Sequence, residues 1–397
     1  MIDFSKSKRW FQLPKDSIYL NGNSLGPMPK NLPHRLQRTL TDEWGEKLIA
    51  AWNDAGWMEQ PLRVGEQICP LIGAESGQVI AGDTLSIQLF QALSAALNLR
   101  PNRKVILSEI GNFPSDLYIA AGLVRLLDRD YELRLVPTEE ISENISSEVA
   151  VLMLTEVDYR TGRRHNMQAL TRLAHDVGAL TVWDLAHSVG AIPVDVEAAN
   201  VDFAVGCTYK YLNAGPGAPA FIYVAENHLH RIEPTLTGWL GHRAPFDFEQ
   251  TYCAANGIAR MRIGTPPVLE MTALECALEI WQHANIHDVY RKSCELTEQF
   301  MAGVKTKCPE LSLVTPINAS ERGSHVAFRF SEGYAVIQAL KARGVIGDFR
   351  APDLMRFGIA PLYNDAADIV RAIDNIAEII TNKLWDKAAY KKRQLVT

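Results

Sequence analysis

Two hydrophobic periods take turns along the middle of the chain. "KVILSE" (104–109) is short and β-branched, and "YELRLVP" (131–137) alternates apolar and polar positions as a half-buried strand does. "VAVLMLTEV" (149–157) is apolar almost throughout, the pattern of a strand covered on both faces. "ALTVWDLAHS" (179–188), "VDFAVGC" (201–207) and "APAFIYVAE" (218–226) read as further strands. Between them, "PSDLYIAAGLVRLL" (114–127) and "NMQALTRLAHDVG" (166–178) have helical spacing. Pro114 stands at the first position of one helix, where a missing N–H does no harm, and Gly178 stands just past the end of the other. This alternation predicts an α/β fold with a mostly parallel sheet and helices on its faces.

The texture changes after "GTPP" (264–267). "VLEMTALECALEIWQHA" (268–284) and "VYRKSCELTEQFMAGVKTK" (289–307) predict long helices. "SHVAFRF" (324–330), "YAVIQALKARG" (334–344), "LMRFGIA" (354–360) and a last helix near 366–386 predict a smaller α+β unit. The first ~60 residues, rich in Pro, Asn and Gly, predict an arm with a helix at 30–50. The expected division is 1–60 for the arm, 61–270 for the large α/β part and 271–397 for the linking helices and small part.

At 397 residues the chain is too long for one ordinary core. Hydrophobic content of 47% and charged content of 22% are those of a soluble globular protein. A net charge of −6 argues against a nucleic-acid scaffold, and the basic tail "KKRQ" (391–394) reads as a solvated end. No apolar run approaches the roughly 18–20 residues of a membrane span, and "MIDFSKSKRWFQLPKD" holds no signal-peptide core. The six cysteines are scattered without a C-x-x-C pair, which predicts reduced thiols in a cytoplasmic protein and no metal site.

"GPGAPA" (215–220) fits G-x-G-x-x-[GA], but its glycines precede a strand instead of opening a helix, so it is rejected as a nucleotide site. No P-loop and no G-x-S-x-G elbow is present. Lys210, in "CTYKYLNAGPG" (207–217), is more informative. A lysine taken at random is a loop residue with its head in water. This one follows a buried strand, where open α/β sheets place ligands, lies beside Tyr209 and precedes small residues. Partial desolvation makes a lysine nucleophilic, which Schiff-base chemistry needs.

Asp184, in "WDLAHS" (183–188), interrupts an apolar strand 26 residues earlier. It can cap the next helix, or it can pair with the pyridine nitrogen of a Schiff-base cofactor. His187 is a phosphate donor or a satisfied core histidine, and Ala186 is small enough to lie under a flat ring. "GDTLSIQLFQALSAAL" (82–97) opens a helix on small polar residues, an ordinary cap or a phosphate seat. "NFPSDLY" (112–118) offers Phe113 for stacking and Asp116 as a second carboxylate, or only another strand-to-helix turn. Helix N-terminus, aromatic, Asp and Lys come in this order, each where a strand ends. That is the layout of a pyridoxal-phosphate site on an aspartate-aminotransferase-like domain.

The chain closely resembles the bacterial kynureninase family over nearly its whole length. The resemblance rests on "YLNGNSLGPMP" (19–29), "DEWGEKLIAAWNDAGW" (42–57), "DTLSIQLF" (83–90), "NFPSDLYIA" (112–120), "WDLAHSVGAIPVD" (183–195), "GCTYKYLNAGPG" (206–217), "GWLGH" (238–242), "RGSHVAFRF" (322–330), "YAVIQALKARGVIGDFR" (334–350) and "MRFGIAPLYN" (355–364). The lysine motif alone marks only the class-V aminotransferase-like group; the combination is far more specific. The resemblance implies fold type I, with a large, mostly parallel seven-stranded sheet domain and a small C-terminal α+β domain. It implies Lys210 as the Schiff-base lysine, Asp184 as the partner of the pyridine nitrogen and Phe113 as the stacking aromatic. Leu85, Ser86, Pro114, Ser115, Asp116, His187 and Tyr209 would complete the cofactor shell, with Trp239 and Thr265 reaching in from the neighbouring subunit of a homodimer. Thr265 stands where some relatives carry Asn. Arg356 would grip the substrate α-carboxylate, and Trp57 is a candidate for the aryl pocket. The implied reaction is hydrolysis of L-kynurenine, or of its 3-hydroxy derivative, to anthranilate or 3-hydroxyanthranilate and L-alanine, in tryptophan degradation.

Three other readings stand beside it. A transaminase would need an amino acceptor. A cysteine desulfurase would need a mobile cysteine in an exposed loop, and Cys207 is too close to Lys210 along the strand. A catalytically silent binding protein on the same fold would have no need of Lys210, Asp184 and Arg356 together.

Overall fold

The computed structural model describes residues 2–127 and 130–394. The arm contributes three two-residue strands: β1 (Phe11–Gln12) pairs with β3 (Met28–Pro29), and β2 (Ile18–Tyr19) leaves them for another sheet. The large sheet is built from β4 (Val79–Gly82), β5 (Val105–Glu109), β6 (Glu132–Val136), β7 (Val149–Thr155), β8 (Leu180–Asp184), β9 (Phe203–Gly206) and β10 (Ala220–Val224). Its seven strands run in the order β4-β10-β9-β8-β7-β5-β6. Only β10 is reversed, antiparallel to both its neighbours. The predicted mostly parallel α/β sheet is therefore present.

The apolar run at β7 is buried at every position, as its composition requires. From Val151 onward its side chains alternate between the two faces: Val151 and Met153 pack on one side, Leu152 and Leu154 on the other. Ala150 breaks the phase, because Val105 pairs with Val149 while Ile106 pairs with Val151. One extra residue on β7 makes a bulge there. Trp183 and Ala204 extend one face, and Val182, Phe203 and Val205 the other.

Helix Pro114–Leu127 has the bounds expected of it, and helix Met167–Asp176 is capped by the Asn166 side chain. Strand β8 stops at Asp184, four residues before the predicted end. The Asp184 carboxylate accepts the Ala186 N–H at 2.7 Å, an Asx turn that takes the backbone out of the sheet. The predicted helix at 30–50 is shorter: Leu32–Arg38 is α-helical, followed by a wider π-type turn over Thr39–Gly45. The last predicted helix ends at Thr381.

The C-terminal part holds a four-stranded antiparallel sheet in the order β11 (Ser312–Leu313), β12 (His325–Arg329), β15 (Leu354–Gly358) and β14 (Asp348–Arg350). Strand β13 (Val345–Ile346) pairs in parallel with β2 of the arm. Ile18 and Leu20 consequently sit in the same apolar cluster as Phe300, Phe328, Phe357 and Ile376. Full burial of each such side chain is worth about 1.5–3 kcal/mol, which ties the arm to this unit.

Candidate active site

Six strands of the large sheet end at one edge, and every candidate for ring or phosphate contact except Thr265 and Trp239 comes from the segment after one of five of them. Leu85 and Ser86 follow β4, Phe113 to Asp116 follow β5, Tyr159 follows β7, Asp184 ends β8 and Lys210 follows β9. This is the carboxyl edge, where open α/β sheets bind ligands.

Lys210 is buried, and its Nζ lies 2.9 Å from Nε2 of His187. The arm closes over its backbone. Gly26 donates its N–H to the Tyr209 carbonyl at 2.8 Å, and a Cβ on Gly26 would stand 2.2 Å from the Lys210 carbonyl oxygen. Only glycine fits there. Tyr209 is half-buried, and burial raises its hydroxyl above the ordinary tyrosine range, so it stays protonated.

Asp184 is buried and shares a hydrogen bond with Asp116. Burial raises both carboxyls, and the charge of Asp184 raises Asp116 further. The Lys210 ammonium opposes the rise at Asp184. Thr155 closes the group: its hydroxyl donates to Asn112 Oδ1 at 2.5 Å and lies 3.4 Å from Asp116 Oδ2. Two like charges this close in a dry site cannot both form, so Asp116 keeps its proton and Asp184 is the carboxylate.

Two helices begin side by side at this edge. Ser86 Oγ, at the start of helix Leu85–Leu99, is 2.9 Å from Ser115 Oγ, at the start of helix Pro114–Leu127. The first N–H groups of each helix have no acceptor inside it. The pair of termini and hydroxyls is a seat for a dianion. Phe113 stands at its rim, edge-on to Tyr159 at 5.1 Å between ring centroids.

The small unit supplies the opposite wall. Arg356 is 1% exposed although charged. Its Nε donates to Asp348 Oδ1 at 2.8 Å, its Nη2 to Asp348 Oδ2 at 2.5 Å and to Ser24 Oγ at 3.1 Å, and its Nη1 to the Tyr159 carbonyl. Burial disfavours the Asp348 charge, but Arg356 and Arg350 overcome this and hold its carboxyl below the usual range.

Three expected contributors lie elsewhere. Trp239 is half-exposed, edge-on to Phe246 and stacked on Phe248, and Thr265 is exposed. Trp57 is buried, donates its indole N–H to Glu43 at 2.9 Å and packs edge-on against Trp52. It lines an open apolar pocket with Trp44, Leu48 and Leu269, apart from the Lys210 group.

The donor set matches pyridoxal phosphate. There is a buried amine, a buried carboxylate 26 residues upstream to hold a ring N–H, and two helix termini for a phosphate. The Nδ1 of His187 is a buried polar atom without a partner among the described residues. Among the same residues no group of His, Cys, Asp and Glu could hold a metal, and no helix is long and apolar enough to cross a membrane.

The kynureninase C-terminal domain profile matches residues 289–376. A kynureninase of Pseudomonas fluorescens is 47% identical over 98% of this chain and 95% of its own length, and one of Burkholderia pseudomallei (strain 1106a) is equally similar. The chain belongs to the kynureninase family. Membership makes it an enzyme, a hydrolase acting on a carbon–carbon bond, with pyridoxal phosphate as cofactor. The fold is shared more widely. A cysteine desulfurase of Thermococcus onnurineus NA1 superposes with a TM-score of 0.81 at 16% identity, covering 96% of this chain and 99% of that one. A C-DES variant with glycine linked to its PLP cofactor superposes with a TM-score of 0.82 at 15% identity, over 94% and 99%.

The same cluster also holds residues that the sequence reading passed over: Ser24, Asn112, Thr155, Tyr159, His325, Asp348 and Arg350. Two signals were available. "GDFR" and "SHVAFRF" each put a charged or imidazole side chain inside an apolar run, a position that needs a buried partner. The Tyr159 contribution is a backbone carbonyl and leaves no trace in side-chain identity.

Proposed function

We propose that this chain hydrolyses L-kynurenine to anthranilate and L-alanine. The observation that carries the reading is the buried Lys210–His187 pair, set between the Asp116–Asp184 pair and the Arg356–Asp348 wall. Asp184 would hold the pyridine nitrogen, Lys210 the aldehyde carbon and Phe113 the ring face. Leu85, Ser86, Pro114, Ser115, Tyr209 and His187 would surround the rest, with Trp239 and Thr265 supplied by a second subunit. Bound as a Schiff base to an amino group, pyridoxal phosphate supplies an electron sink for negative charge beside that group.

The chain's own side chains do the positioning and the proton work. Arg356 binds the substrate α-carboxylate and orients the Cα–H toward Lys210. Lys210 Nζ takes the Cα proton, and His187 Nε2 accepts a hydrogen bond from the ammonium so formed. Water adds to the γ-carbonyl carbon, which leaves with the aryl group as the carboxylic acid when the Cβ–Cγ bond breaks. A proton is returned at Cβ, and Lys210 then gives back a proton at Cα, which completes alanine. Tyr209, kept protonated by burial, is a candidate donor at Cβ and equally a candidate phosphate ligand. Exclusion of water by the buried Asp184 and Arg356 strengthens each of these electrostatic contacts.

A homodimer with shared sites is part of this reading. So are a cytoplasmic setting, in keeping with six free cysteines, and the division into residues 1–60, 61–270 and 271–397. A desulfurase reading finds no support in Cys207. It is buried with its thiol toward the Ala186 carbonyl, and burial pushes the thiol up. The test is direct: incubate the purified protein with pyridoxal phosphate and L-kynurenine, and in parallel with 3-hydroxykynurenine. Equimolar alanine and anthranilate, or the hydroxy analogue, is the expected outcome; their absence with both substrates rejects the reading.

A further inference from the structure

His325 is fully buried, and neither of its ring nitrogens has a partner among the described residues. A neutral imidazole has one donor and one acceptor, and leaving both unmet in a dry site is costly. The residue is nevertheless held firmly. On β12, His325 pairs with Gly358 and Ala327 with Arg356, so His325 and Arg356 are diagonal neighbours on one face of the small sheet. The loop after β7 covers it. Gly162 has φ +75°, and a Cβ there would lie 2.7 Å from the His325 carbonyl oxygen and 3.4 Å from its Nε2. Glycine at 162 thus lets that loop lie against the histidine.

The ring faces His187 of the large unit, with 5.4 Å between centroids and a tilt of 55°. His187 has one free nitrogen of its own, Nδ1, while Nε2 meets Lys210 Nζ at 2.9 Å. An ammonium only donates. When Lys210 is charged, Nε2 must accept, and the proton of a neutral His187 then sits on Nδ1. That N–H needs an acceptor, and the unpartnered ring of His325 lies beside it. No direct bond joins the two imidazoles, so a single water is the natural link.

We propose that His325 is a positioning residue that accepts the His187 Nδ1–H through a bridging water and so holds His187 in the tautomer whose Nε2 receives Lys210. The inference rests on Lys210 exchanging a proton in the proposed reaction. The charged groups around the two rings favour it. Lys210 after β9, Arg356 on β15 and Arg350 on β14 face them as cations, with Asp348 on β14 as the opposing anion. Burial first, and then these cations, hold His187 well below its ordinary value and His325 down to about 3. Both rings therefore stay neutral, and the link works by tautomer and not by charge.

The experiment is ¹⁵N–¹H NMR of the full chain labelled at histidine and freed of cofactor, so that Lys210 is an unmodified amine as the inference requires, with His187→Gln and His325→Gln used to assign the two rings. The expected wild-type spectrum shows His187 protonated on Nδ1. In His325→Leu, which can neither donate nor accept, that signal should shift to a mixture of tautomers. Turnover of His325→Leu should fall about tenfold or more in kcat with KM within about twofold, and His325→Gln should recover most of it. His187 found protonated on Nε2 in the wild type, an unchanged tautomer in His325→Leu, or a loss confined to KM would each overturn the proposal. Should His325→Leu fail to fold, the wild-type and His325→Gln spectra still decide. The spectra do not depend on which substrate is turned over, so a failure of kynurenine hydrolysis would be distinguishable from a failure of this inference.

Discussion

Asp116 and Asp184 share one hydrogen bond in a pocket closed to water, and only one of them carries a charge. Asp116 is the protonated member, because Asp184 has the Lys210 ammonium and the Ala186 N–H to stabilise its charge. Asp116→Asn keeps a neutral donor toward Asp184 and should keep kcat/KM within about tenfold, whereas Asp184→Asn should lose about 10²–10⁴-fold. Cofactor retention on dialysis should follow the same order. The reverse order would show that the proton sits on Asp184.

Lys210→Ala should remove the Schiff-base absorbance at the edge of the visible range and lower turnover by on the order of 10³-fold or more. The spectrum and the rate are read on the same sample. Persistence of the band together with full turnover would place the reactive amine elsewhere.

The centre of the large sheet was legible because its strands are buried on both faces and read as apolar runs, β7 above all. Asp184 and Lys210 stood out for the same reason, as charges at the ends of such runs. The strands that escaped notice are short: β1, β2, β3, β11 and β13 are two residues each, β14 is three and β4 is four, and no periodicity develops over so few positions. Strand β8 was read too long because the Asx turn at Asp184 acts through one side-chain bond inside a sequence that stays apolar. His325 was hidden in the same way. Its strand was read correctly, but what it faces depends on two units meeting, which is a matter of packing and not of pattern.

The buried histidines also set an acid limit on stability. Burial, and then the Arg356 charge, lower His325 from its ordinary value of 6.5 to about 3 in the folded chain. Below 6.5 the unfolded chain takes up a proton that the folded chain refuses, so stability is full above 6.5 and falls as pH drops toward 3. One such ring contributes up to about 1.4 kcal/mol per pH unit in that window. His187 is shifted in the same direction and adds to it. Urea titrations of wild type and His325→Gln across this window should give lines that differ in slope by about that amount. Parallel lines would mean that His325 is not buried in its neutral form.

Arg356 has five N–H groups, and Asp348, Ser24 and the Tyr159 carbonyl occupy four of them. One N–H on Nη1 is left for a substrate carboxylate, and a two-pronged grip requires Ser24 to release Nη2. Ser24→Ala should therefore leave KM for kynurenine within about threefold or lower it, whereas Arg356→Lys should raise KM by about 10–100-fold. Arg356→Ala is the poorer test, since it breaks a buried ion pair and leaves Asp348 only Arg350 and Ser24, which should cost up to about 3 kcal/mol of stability. An unchanged KM in Arg356→Lys would remove the carboxylate from this arginine.

Trp239, Phe246 and Phe248 form an exposed aromatic group, with Phe248 71% exposed and centroid distances of 5.5 Å and 6.2 Å from Trp239 to its two neighbours. Burying that much aromatic surface is favourable, and a second subunit is the partner proposed for it. The double substitution Phe246→Asp and Phe248→Asp places two carboxylates where that partner would pack. It should convert a two-chain particle into single chains by light scattering. Activity should fall with the dimer, because Trp239 and Thr265 are proposed to complete the neighbouring subunit's phosphate site. Raising the protein concentration should restore both together, by mass action. Single chains with full activity would show that each site is complete within one subunit, and an intact dimer would place the interface elsewhere on the surface.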